Sequence, residues 1–65
     1  MLTPDQLALA TERCHDLPAD SVARFDRRIT EVMNVTGRDR TWCRARAAET
    51  WPDEHSAYVA AKAPA

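Results

Sequence analysis

Apolar residues recur at steps of three and four through the first half of this chain, and that spacing constrains the fold more than any other feature. Leu7, Ala10, Cys14 and Leu17 form one series; Val22, Phe25, Ile29 and Val32 form a second. A helix turns roughly 100° per residue, so each series falls on one helical face. Pro18 interrupts the pattern, and Leu17-Pro18-Ala19 joins the two helices as an antiparallel hairpin. Strand alternation is absent and β-branched residues are scattered. The expected fold is all-α: a small three- to four-helix bundle built on this N-terminal hairpin, with residues 1–65 as one domain. Its expected core is Leu7, Ala10, Cys14, Leu17, Val22, Phe25, Ile29, Val32 and one or both of Trp42 and Trp51.

The helix ends carry their own signals. Thr3, Pro4 and Gln6 spell a T-P-x-Q capping box with proline at the first helical position. Leu2 and Leu7 occupy the two hydrophobic-staple positions, and the helix should run to about His15 or Asp16. Pro18 is placed to open the second helix, with Asp20 in its first turn, and Thr36-Gly37 to close it. Asp26, Arg27, Arg28 and Glu31 lie off the apolar stripe, as a solvated face would. A third helix is expected over Arg38 to Trp51. A short fourth one follows, with its start signals in Thr50, Asp53 and Glu54, passing through His55, Tyr58 and Val59 and fraying from Lys62.

Size and charge limit what such a domain can do. A chain of 65 residues buries only about 60 % of its unfolded surface, and its core leaves a net stability of ~3–5 kcal/mol. A deep substrate pocket is hard to build on that scale, which favours a binding module over an enzyme. Nine basic residues against ten acidic ones give no general attraction to nucleic acid or membrane. The charge is unevenly spread. Residues 1–35 hold six acids and four arginines, whereas residues 36–51 hold four arginines against Asp39 and Glu49. Eight of the nine basic residues are arginine, which together with the many alanines points to a GC-rich bacterial or phage genome. No secretory leader pattern and no long apolar run are visible, so the expected compartment is the cytoplasm, with no membrane partner and with Cys14 and Cys43 reduced.

No constellation carries catalysis. Cys14, His15, Cys43 and His55 lack metal-ligand spacing, and the neighbours Cys14 and His15 point in different directions on a helix. Cys14 sits on an apolar stripe, where burial makes a thiol unreactive. Gly37 is the only glycine, so no phosphate-cradling loop is available. The reading is therefore no catalytic residue, no metal and no cofactor, with both cysteines as small core residues and both histidines exposed.

The third segment is the best functional candidate. Arg40 and Arg44 share a helical face, Arg46 flanks them, and Trp42 and Trp51 are interleaved. Arginine and tryptophan dominate binding hot spots, and arginine offers forked donors to carboxylate or phosphate. The expected protein-binding patch is Arg38, Arg40, Trp42, Arg44, Arg46 and Tyr58. Reversing Arg40 and Arg44 to glutamate should then abolish partner binding. A plainer reading of the same residues makes the tryptophans core filler and pairs the arginines with acids of the first two helices.

The leading expectation is a non-enzymatic module that blocks a larger protein sterically. A small phage or mobile-element inhibitor or adaptor, of the anti-CRISPR or anti-restriction kind, belongs to this class. A homodimer completing a helical bundle is compatible with it. Nucleic acid ranks behind protein as a partner. Residues 31–52, EVMNVTGRDRTWCRARAAETWP, do resemble the helix-turn-helix core of AlpA/MerR-type regulators, in Glu31-Val32, Thr36-Gly37, Arg40, Arg44 and Trp51-Pro52. That resemblance implies a small DNA-binding regulator in which Arg40 and Arg44 face the DNA.

Overall fold

The computed structural model describes residues 2–64. The described residues form four helices: α1 (Pro4–Arg13), α2 (Ser21–Thr36), α3 (Arg40–Thr50) and α4 (Pro52–Lys62). Helix α2 is the hub. The other three all pack on it, α3 and α4 also pack on each other, and α1 touches α2 alone. The all-α bundle expected from the periodicity is what forms.

Local chemistry sets the boundaries. At α1 the capping box is complete, with Gln6 N–H donating to Thr3 Oγ1 at 3.1 Å and Thr3 N–H donating to Gln6 Oε1 at 3.0 Å. Helix α1 ends at Arg13, with Cys14 as its C-cap, short of the expected end at His15 or Asp16. Helix α2 does not start at Pro18. It starts at Ser21, because the Asp20 carboxylate accepts from Ala23 N–H at 2.9 Å and is the stronger start signal. Pro18 stays in the connection, where its carbonyl accepts from the Arg24 guanidinium at 3.3 Å. Gly37 ends α2 in the left-handed region at φ 71°, as its position implies. Asp39 then caps α3, accepting from Trp42 N–H at 2.9 Å. Asp39→Ala should cost about 1 kcal/mol. A thermal melt should show this as a Tm lower by roughly 4–8 °C.

The core joins Ala10, Phe25, Ile29, Val32, Cys43, Ala47 and Tyr58, with Trp42, Trp51 and Val22 packed partly against it. Phe25 is fully buried, its ring centroid 4.8 Å from that of Tyr58 and 5.3 Å from that of His55. Three expectations need correction. Leu7 is 38 % exposed, because α1 contacts only α2 and no other helix covers that side. Leu17 and Val22 are half-buried rather than central. His55 is half-buried against Phe25 rather than exposed; His15 is exposed as expected.

The supposedly solvated face of α2 is also covered in part. Glu31 is 7 % exposed and accepts from Asn34 Nδ2 at 2.6 Å. Arg28 lies under α4, its Nε 2.6 Å from Glu54 Oε1 and its guanidinium 4.4 Å from the Trp51 ring centroid. Arg24 Nε bonds the other Glu54 oxygen at 2.6 Å. One carboxylate on α4 thus receives two guanidinium groups from α2, and this clamp fixes α4 across the hub.

Candidate functional site

Helix α3 turns Cys43 and Ala47 into the core against α2, and this seam decides where its arginines go. Residues 40 and 44 are four apart, as are 42 and 46. The two pairs are offset by two residues, or roughly 200° around the helix axis. They therefore flank the buried seam on opposite sides. The six residues expected to form one patch divide into three groups.

The first group is Arg38, Trp42 and Arg46. Trp42 is half-buried, and two guanidinium carbons stack on its ring, Arg38 at 4.5 Å and Arg46 at 5.4 Å from the centroid. Arg46 also pairs with Glu49 at 3.4 Å, while its Nε is buried without a hydrogen-bond partner. Arg38 is exposed and makes no ion pair among the described residues. The second group is Arg40 alone, which reaches back to Asp26 on α2 at 2.8 Å. The third is Arg44, whose guanidinium lies 5.6 Å from the Tyr58 ring centroid.

Tyr58 is no free contact residue. It is 4 % exposed and belongs to the core, because it stands one turn after Glu54 on the face of α4 that packs onto Phe25. Lys62 was missed by the sequence reading, which left it in the fraying end. Its Nζ donates to the Tyr58 hydroxyl at 3.1 Å and lies 4.9 Å from the ring centroid. The spacing of four between Tyr58 and Lys62 was the available signal.

Cys14 and Cys43 are both buried free thiols. Burial pushes the Cys14 thiol up from its ordinary pKa, and the nearby Arg28 guanidinium offsets only part of that. Cys43 Sγ lies 3.5 Å from Thr36 Oγ1 and 3.6 Å from the Arg38 carbonyl oxygen. No group of three or more His, Cys, Asp or Glu among the described residues is arranged to hold a metal ion. No helix there is long and apolar enough to cross a membrane.

Comparison of the chain with protein-family models, with curated proteins and with solved structures gives no match.

Proposed function

We propose that this chain is a non-enzymatic protein-binding module that covers an acidic surface of a larger partner with the outer side of α3. The small phage or mobile-element inhibitor or adaptor is the form of that module favoured here. The observation that carries the reading is the Arg38–Trp42–Arg46 stack. Two guanidiniums held against one indole present charge with little side-chain entropy left to lose, which is the composition and order of a binding hot spot. Arg40 is a weaker choice, because it already holds Asp26. Reversing it would set two acids side by side between α2 and α3.

The test is affinity capture from host lysate with nuclease present, using the wild type and an Arg38→Glu/Arg46→Glu variant matched by circular dichroism. A defined protein held by the wild type should lose at least ~30-fold in affinity for the folded variant. Equal affinity for both would remove this face from consideration.

One observation favours a second reading, a helix-turn-helix DNA binder. Only residues 37–39 link α2 to α3, with left-handed Gly37 in the turn and exposed Arg40 and Arg44 on the second helix. Helix α2 is continuous from Ser21, however, rather than starting near Glu31 as the regulator-like motif would have it. DNA binding of this kind would weaken steeply with added salt. An affinity for DNA that is absent or independent of salt rules it out.

A further inference from the structure

A groove of about 440 Å³ opens between α3 and the end of α4, lined by Arg44, Tyr58, Val59, Lys62, Ala63 and Pro64. That volume falls in the range of ligand clefts, roughly 300–1,000 Å³. Two cations line it, each beside the largely buried Tyr58 ring: the Arg44 guanidinium carbon lies 5.6 Å and Lys62 Nζ 4.9 Å from the ring centroid, and Lys62 Nζ also donates to the Tyr58 hydroxyl at 3.1 Å. Neither has a carboxylate partner among the described residues, whereas Arg24, Arg27, Arg28, Arg40 and Arg46 all do. The rest of the wall is apolar, with Val59 48 % exposed beside Ala63 and Pro64.

Structural roles account for part of this. Lys62 lies in the last turn of α4, where the helix dipole favours a cation, and both side chains gain from the ring. They supply no negative charge to balance the two cations that line one groove. An anion set between them would gain two charge-assisted hydrogen bonds at once. The larger hollow on α1, lined by Leu9, Glu12, Arg13 and His15, differs in kind, because its lining includes the Glu12 carboxylate as well as Arg13.

We propose that the α3–α4 groove binds a carboxylate carried on an apolar body, with the carboxylate between Arg44 and Lys62 and the body against Val59 and Pro64. Arg44 flanks the buried seam of α3 on the side away from Trp42 and Arg46, so this site stands or falls independently of the partner-binding reading. The chemistry is that of a fatty or aryl acid, or of a peptide chain terminus that ends in an apolar residue.

The test is a titration of ¹⁵N-labelled full chain, followed by amide chemical shifts, with 4-phenylbutyrate, its neutral amide and acetate. Saturable shifts at Val59, Lys62 and Ala63 are expected with 4-phenylbutyrate, at a Kd on the order of 1 mM. The amide and acetate should bind at least ~10-fold more weakly, and Arg44→Gln or Lys62→Gln should weaken phenylbutyrate by ~5–10-fold without moving distant resonances. Octanoate and the free acid of acetyl-leucyl-phenylalanine then distinguish a fatty ligand from a chain terminus by which binds more tightly. The proposal is overturned if acid and amide bind alike, if shifts spread equally to Arg38 and Arg40, or if both variants bind as the wild type does.

Discussion

Phe25→Ala should unfold this protein at room temperature. The side chain is fully buried in the second turn of the hub helix, against Tyr58 and His55 of α4. Truncating a buried phenylalanine costs about 3–5 kcal/mol, through lost transfer energy and the cavity left behind. A single small core leaves a net stability of similar size, ~3–5 kcal/mol, so nothing remains in reserve. Circular dichroism at 222 nm should fall to a coil-like value, with no cooperative melt on heating. Leu7→Ala is the matched control. Leu7 is 38 % exposed, and its loss should cost under ~1 kcal/mol. Two variants with equal melts would contradict the packing described above.

Glu54→Ala is the second large effect. It leaves Arg28 almost buried, with 11 % of its side chain exposed, and without its ion partner. Removing one member of a buried pair costs ~3–5 kcal/mol; with Glu54 at 17 % exposure a smaller cost, about 2–3 kcal/mol, is expected. Arg24 adds little, since 40 % of its side chain is exposed. The same clamp gives a pH signature. Burial pushes the Glu54 carboxyl up, but hydrogen bonds and charge from Arg28 and then Arg24 outweigh it, so its pKa falls below the ordinary value. A carboxyl with a lowered folded pKa stabilises fully above its unfolded pKa of about 4.3, and that contribution is lost as pH falls through the folded value. The wild-type Tm should therefore drop on acidification below about pH 4.3, and Glu54→Gln should flatten that part of the curve. A parallel pH profile in the variant would show that other carboxylates carry the acid sensitivity.

What could be read from the residues alone was local. Thr3-Pro4-x-Gln6 announced α1, Gly37 announced the end of α2, and Asp53 and Glu54 announced the first turn of α4. Each signal acts within a turn of its own position. The misplaced start at Pro18 was a contest between two neighbouring start signals, decided by the side-chain cap that Asp20 supplies. Burial of Arg28 was invisible for a different reason. Its partner Glu54 lies 26 residues away, on a helix whose packing against α2 no periodicity specifies. The same holds for Leu7, whose exposure follows from α3 and α4 leaving α1 uncovered.

The candidate site was legible as composition and illegible as geometry. Spacing placed Arg40 and Arg44 on one face of α3, and composition drew Trp42 and Arg46 into the same patch. That the seam of Cys43 and Ala47 would set them on opposite flanks required knowing which side of α3 meets α2. Tyr58 looked like an exposed hot-spot residue because α4 shows almost no amphipathic contrast; its contacts with Phe25 place it inside.

The most direct test of the central claim is site-specific photocrosslinking in host lysate. A benzophenone amino acid at Ala45, exposed on the outer side of α3 beside Trp42, is compared with the same group at Leu9, exposed on α1. A discrete protein adduct formed from position 45 and absent from position 9, insensitive to nuclease, is the predicted result. Adducts from position 9 alone, or adducts at 45 that vanish with nuclease, would contradict it.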